Sequence, residues 1–230
     1  MLLSLPHELR TPLSGIMGFA ELLKDGLVPG AVVPGDAREM LDQLLASGSR
    51  LEHLATNMVL HLHLELARHA PDQRRQFVDA GPASADDHTA AVARRLAQAA
   101  NRAADLGWLS PGPRAAAIAP HFLEKILEEV IGNAFKFSAA GARVEILLSG
   151  REAAMEWLIS DRGLGVEPAE AAGMAPYRQW QREKREQQGL GLGFAIARQL
   201  AEFNGGSLEL APREGGGSVA RLCLPRAEAE

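Results

Sequence analysis

Glu129-Val-Ile-Gly-Asn133-Ala-Phe-Lys136-Phe-Ser138 is the stretch on which the reading of this chain turns. It ends an amphipathic pattern that begins at His121, so it belongs to a helix. Glu129, Asn133 and Lys136 are spaced four and three apart and share one face of that helix. The face gathers a carboxylate, an amide oxygen and an ammonium. These are the groups that hold Mg²⁺ and balance phosphate charge. Taken alone, the same residues also fit an ordinary solvated face.

Two glycine-rich segments follow. Asp161-Arg-Gly163-Leu-Gly165 comes directly after a strand expected over Met155–Ser160. Its glycines let the backbone approach a flat ligand, and its carboxylate can accept a hydrogen bond from an exocyclic amine such as that of adenine. A plain strand-end turn is the alternative. Gly189-Leu-Gly191-Leu-Gly193 runs into a helix expected over Leu192–Phe203. Backbone N–H groups at a glycine turn and a helix N-terminus make an anion site. No strand precedes this turn and no Gly-Lys-Ser/Thr follows it. It is therefore neither a dinucleotide fingerprint nor a Walker loop. The charged stretch Arg178–Gln188 reads as a polar lid.

Upstream, His7-Glu8-Leu9-Arg10-Thr11-Pro12 lies in a helical pattern. Leu5, Leu9, Leu13, Ile16, Ala20 and Leu23 form its apolar stripe, and His7 and Thr11 fall on another face, one turn apart. Pro12 is expected to kink this helix just after His7. Neutral imidazole is a competent nucleophile near pH 7, and an adjacent carboxylate can fix its tautomer. A solvated His–Glu pair is the bland reading. Gly26–Gly35 reads as a loop. Asp36 and Glu39 resemble a capping box opening a second helix, which continues past Met58. Leu60–Leu66 alternates like a strand, but no turn separates it from that helix, so it is read as the helix tail. His61 and His63 then face different ways. The apolar stripes of the two helices are too broad for a hairpin alone to cover. A homodimer closing a four-helix bundle is the expected solution.

The 230 residues carry 24 Lys and Arg against 29 Asp and Glu, a net charge of −5. With 47% hydrophobic and 23% charged residues the composition is globular. Mild acidity argues against a nucleic-acid binder. The single cysteine, Cys223, excludes an internal disulfide and a cysteine zinc cluster, and fits a cytoplasmic protein. No apolar run approaches the ~18 residues of a membrane span, so no membrane contact is expected within this segment. A chain that opens inside a helix looks like an excised fragment or a truncated reading frame. Pro71–Asp87 marks a boundary, with a short strand expected at Gln76–Val78. Beyond it, helices are expected at Thr89–Ala104 and His121–Phe137. Strands are expected at Ala115–Ala119, Arg143–Leu148, Met155–Ser160, Ser207–Leu210 and Val219–Leu224. The fold class is α+β: a helical hairpin over residues 1–68, then an α/β sandwich over residues 72–226 with a mixed sheet and one helix layer.

In this order, His-Glu-x-x-Thr-Pro, Asn-Ala-x-Lys-Phe-Ser, Asp-x-Gly-x-Gly and Gly-x-Gly-x-Gly resemble the H, N, G1 and G2 boxes of the sensor histidine kinases of two-component signalling. Gly215-Gly-Gly-Ser218 looks like their third glycine box. The resemblance covers Leu2 to Pro225. It implies a dimerisation and histidine-phosphotransfer hairpin followed by a Bergerat-type ATP-binding domain. The implied activity is ATP-dependent autophosphorylation of His7 and transfer to an aspartate of a response regulator receiver domain. Glu8 would be the base partner of His7, and Thr11 would position water for phosphatase action on the regulator. Asn133 would ligate Mg²⁺, with Glu129 as a second metal-shell residue, and Lys136 would contact phosphate. Asp161 would take the adenine amine. Gly163 and Gly165 would shape the base pocket, and Gly189, Gly191 and Gly193 would lie against the phosphates of ATP. Tyr177 and Trp180 stand where the family has lid aromatics. Two positions depart from the pattern. Glu129 replaces the first N-box asparagine and resembles the water-activating glutamate of related ATPases, which implies diversion of phosphate to solvent; simple replacement in the metal shell is the alternative. Leu190 replaces a G2 threonine, which implies weaker nucleotide binding. A catalytically weak scaffold, or an ATPase of the same fold, is the alternative function.

Overall fold

The computed structural model of the chain describes residues 5–26, 37–78, 81–110, 112, 114–150, 153–166 and 191–227. Side chains are described from Pro12 to Leu23 in the first helix and from Glu39 in the second. The chain divides into two compact units, and the division falls inside a helix, between His61 and Leu62.

The first unit is a pair of helices. α1 spans Leu5–Gly26 and runs through Pro12, which is buried. α2 spans Ala37–His69, so Leu60–Leu66 is helical, as its unbroken approach predicts. Gly15 is the point of close approach in the hairpin: a Cβ there would press on the hydroxyl of Ser47, itself buried on α2. Leu13, Met17, Leu41 and Leu45 are 47–71% exposed in the single chain. The expected loop over Gly26–Gly35 lies outside the described residues after Gly26, as does the Asp36 cap.

The second unit is the sandwich. After α2 come a single turn, α3 (Pro71–Arg74), and a 3₁₀ turn at Arg75–Phe77. The strand expected at Gln76–Val78 is therefore absent. Phe77 instead anchors the turn, with its ring 6.2 Å from those of Phe122 and Phe203 and its carbonyl accepting from Asn204 Nδ2 at 2.9 Å. A side chain used as a plug leaves no strand alternation to maintain. β1 (Pro82–Ser84) and β3 (Ala115–Ala117) form a small antiparallel pair. Between them lie α4 (Ala85–Ala99) and β2 (Leu106–Leu109). α5 (Pro120–Phe137), β4 (Val144–Gly150), β5 (Ala154–Ser160), α6 (Leu192–Phe203), β6 (Ser207–Pro212) and β7 (Ser218–Pro225) complete the unit. The main sheet has the order β2-β4-β5-β7-β6, with β2 parallel to β4 and every other pair antiparallel.

α4 begins four residues earlier than its alanine pattern suggests, because Ser84 caps it. Its hydroxyl accepts from the Asp87 N–H at 3.3 Å. It ends at Ala99 because Asn101 adopts a left-handed φ of 54°, a helix stop that asparagine tolerates. Burial alternates strictly along β5, with Met155, Trp157 and Ile159 inside and Glu156 and Ser160 outward. One face of the sheet is thus packed under helices, and α5 contributes Leu123, Ile126, Leu127, Val130 and Ile131 to that core. β5 then delivers the chain directly to Asp161.

A buried polar link joins α4 to β5 inside the core. The indole N–H of Trp157 donates to Thr89 Oγ1 at 2.8 Å, and that hydroxyl donates to the Ala85 carbonyl at 2.5 Å. Thr89 and Trp157 are both fully buried. Thr89→Val keeps the shape and strands the indole donor. It should lower unfolding free energy by about 1–3 kcal/mol, read as a lower urea midpoint at unchanged slope. Thr89→Ser should recover most of the loss.

Candidate functional site

α5 carries the site on a face that runs from buried Glu129 through half-buried Asn133 to exposed Lys136. Pro120 opens this helix where a missing N–H is harmless. Glu129 is almost buried at 8% exposure, and its Oε1 accepts from Lys125 Nζ, one turn earlier, at 2.6 Å. Its Oε2 fills the space where a side chain on Gly193 would begin, so any larger residue there would displace the carboxylate. Asn133 is half-buried one turn further on. Lys136 is exposed, with its ammonium 5.3 Å from the Phe137 ring centre.

The C-terminal end of α5 is held by a side chain the sequence does not advertise. Arg102, 8% exposed, donates through Nη1 to the carbonyls of Phe135 and Ser138 at 2.7 and 2.9 Å. Its Nη2 reaches the Ala142 carbonyl at 2.7 Å and its Nε reaches Asp105 Oδ2 at 2.7 Å. Those of Phe135 and Ser138 are carbonyls that the end of α5 leaves without helical partners. The Phe137 carbonyl goes elsewhere, accepting from the Leu164 N–H at 3.2 Å. The Asp161–Gly165 turn is thereby tied to the end of α5.

Asp161 is 6% exposed. Its Oδ1 accepts from the Gly163 N–H at 2.7 Å. Burial pushes its pKa above the ordinary aspartate range, against hydrogen bonds from Gly163 and Ser218 and the charge of Arg213. Gly163 is obligatory, since a Cβ would run into the Phe137 carbonyl. Gly165 has a φ of +73° and sits against Gly217, whose own φ is +92° and whose missing Cβ makes room for the Asp161 carbonyl. The third glycine segment therefore braces Asp161.

Gly191 has a φ of +66° and precedes the first turn of α6. Gly189, Leu190, Tyr177, Trp180 and the lid stretch Arg178–Gln188 lie outside the described residues. His7, Glu8 and Thr11 are on α1, with their side chains outside the description. The structure thus brings together Glu129, Asp161, Gly163, Gly165 and Gly193 around α5. Lys125, Arg102 and Arg213 are site-building residues that the sequence reading missed. Only Lys125 had a signal, its i,i+4 spacing to Glu129.

An ammonium on this helix face, beside a helix N-terminus, can offset polyphosphate charge, and the amide and carboxylate oxygens can share a cation with it. Among the described residues no group of three or more His, Cys, Asp or Glu could hold a metal by itself. The donors present are hard oxygens, which suit Mg²⁺ held jointly by protein, phosphate and water. Asn133 fits that demand; Glu129 has one oxygen committed to Lys125. Among the described residues no helix is long and apolar enough to cross a membrane.

Comparison with known proteins agrees with this layout. The family model described as histidine kinase-, DNA gyrase B- and HSP90-like ATPase matches residues 118–228. The His Kinase A (phospho-acceptor) domain model matches residues 1–62. The chain is similar to histidine protein kinase DivJ of Caulobacter vibrioides, 27% identical over 228 residues, covering 97% of this chain and 36% of that one. It is 33% identical over 229 residues to sensor histidine kinase AruS of Pseudomonas aeruginosa, covering 95% of this chain and 22% of that one. The chain spans well under half the length of these two relatives. Its structure is similar to that of full-length ShkA in complex with AMPPNP, with a TM-score of 0.65 at 26% identity over 98% of this chain and 45% of that one. Histidine kinase AdeS of Acinetobacter baumannii shares the fold, with a TM-score of 0.67 at 20% identity over 96% of this chain and 98% of that one.

The buried Asp161 carboxylate carries a stability signature. Folding raises its pKa, so the folded protein holds the proton more tightly than the unfolded chain. The stabilisation is complete below the ordinary aspartate pKa and is lost as pH rises through the folded value. Asp161→Asn cannot ionise and escapes that loss. Its melting temperature relative to the parent, without nucleotide, should climb from acid to neutral pH; a difference independent of pH would refute the burial argument.

Proposed function

The chain belongs to the sensor histidine kinases, as their catalytic core, and from that premise we propose that it phosphorylates its own His7 from ATP and passes the group to an aspartate of a response regulator receiver domain. The observation that carries the reading is the convergence on α5 of the Asp161 turn, the Gly217 segment and Gly193, in a chain whose first helix bears His-Glu-x-x-Thr-Pro.

Residues 72–226 act as the ATP-binding part. Asp161 accepts the adenine amine, and Gly163 and Gly165 admit the flat base. Gly189, Gly191 and Gly193 offer N–H groups to the phosphates, and Lys136 adds an ammonium. Asn133 is the residue that would hold Mg²⁺, which when bound neutralises charge on the β- and γ-phosphates. Residues 1–68 act as the phosphotransfer part. The exposed leucines of α1 and α2 support a homodimer that closes a four-helix bundle. One imidazole nitrogen of His7 attacks the γ-phosphorus, and the bond to the bridging oxygen breaks with its electron pair leaving on ADP. The proton on the other ring nitrogen goes to Glu8. Most of the acceleration comes from positioning and charge balance. Thr11, one turn along, orients water for the reverse task of dephosphorylating the regulator. ATP and the receiver partner put this chemistry in the cytoplasm.

His7→Gln should abolish acid-labile, base-stable label from γ-labelled ATP, while nucleotide binding survives. Label retained at another residue would overturn the assignment. Asp161→Asn should weaken ATP binding by about 10- to 100-fold, the worth of a charged hydrogen bond.

A further inference from the structure

One buried ion pair on α5 has no part in the scheme above. Lys125 and Glu129 are joined at 2.6 Å with side chains only 17% and 9% exposed. The second oxygen of the same carboxylate is pressed against Gly193, at the first turn of α6. Glu129 thus stands one turn before Asn133, beside the glycine segment assigned to the phosphates, and is clamped from two sides.

A carboxylate in that position has the reach and chemistry to deprotonate a water molecule. In that reaction the water oxygen would bond to the γ-phosphorus, the bond to the bridging oxygen would break with its electron pair leaving on ADP, and the water proton would pass to Glu129. The yield would be free phosphate instead of phosphohistidine. A general base needs an oxygen lone pair aimed at the water. Here the charge-assisted hydrogen bond from Lys125 to Oε1 fixes the orientation of the carboxylate, with Oε2 turned into the space beside Gly193 and away from the Asn133 side of the helix turn it would have to reach. Low exposure makes the pair hard to separate, because each charge would lose a close opposite charge in a poorly solvated setting.

We propose that Lys125 is a positioning residue that withholds Glu129 from water and so directs the γ-phosphoryl group to the imidazole. This rests on the autokinase reading above, and it differs from the sequence expectation that Glu129 diverts phosphate to solvent. The spacing that makes the clamp is local, since Lys125 and Glu129 are one helical turn apart. Its far wall is tertiary, because α6 supplies Gly193.

The test measures free phosphate released per phosphohistidine formed, with γ-labelled ATP and magnesium, in the same purified protein. The ratio counts only active molecules, so partial misfolding cancels. Lys125→Met should raise it by about tenfold or more, a fraction of the roughly 10²- to 10⁴-fold that full general-base assistance supplies. Lys125→Gln keeps a donor in place and should raise it less, and Lys125→Arg should restore the parent ratio. Adding Glu129→Gln to Lys125→Met should return the ratio to the parent level. An unchanged ratio in the Met and Gln variants, or a rise that survives the added Glu129→Gln, overturns the role of Lys125 while leaving the kinase reading intact. A parent protein that binds ATP but forms no phosphohistidine overturns both.

Discussion

A single guanidinium sets the geometry of the nucleotide unit. Arg102 gathers the carbonyls of Phe135, Ser138 and Ala142 with the Asp105 carboxylate, and so completes the hydrogen bonding of the C-terminal end of α5. Helix ends otherwise present unpaired acceptors, which are costly when buried. Because Arg102 takes the flanking carbonyls, the Phe137 carbonyl is left for the Leu164 N–H. The turn that holds Asp161 is therefore positioned by backbone, not by a flexible side chain. An arginine suits this task because its planar fork can serve several acceptors at once.

Around that fixed end, the glycines act as clearances. Gly163 admits the Phe137 carbonyl, Gly217 admits the Asp161 carbonyl and Gly193 admits the Glu129 carboxylate. Each places backbone or charge where a Cβ would otherwise stand. The arrangement stores cost as well as function. Asp161 is held as a buried carboxylate with its pKa pushed upward. Such a group costs stability once it ionises, and a shifted carboxyl of this kind marks a candidate site.

The sequence was a good guide wherever a period is long or a glycine pattern is dense. α1, α2, α5 and α6 each carry an apolar stripe over several turns, and β5 alternates without a break. Of the short elements β3 was legible, within the expected Ala115–Ala119, but β1 and β2 were not. β1 and β2 have three and four residues and exist because they pair with β3 and β4, respectively. Phe77 reads as part of a strand but serves as a plug between Phe122 and Phe203. In the site, Asp161 and its glycines could be named from spacing. Arg102 and Arg213 could not, since the α5-end carbonyls that Arg102 serves and the Asp161 that Arg213 faces lie far along the chain.

The residue order by itself determined which chemical groups are available and which helix or turn carries each, because helical spacing and glycine turns are local properties. Tertiary structure decided what those groups face beyond their own helix or turn. Glu129 reads the same on paper whether it is a metal ligand, a base or a silent anion. Lys125 from its own helix and Gly193 from another select among these, because a carboxylate's behaviour depends on what occupies its oxygens.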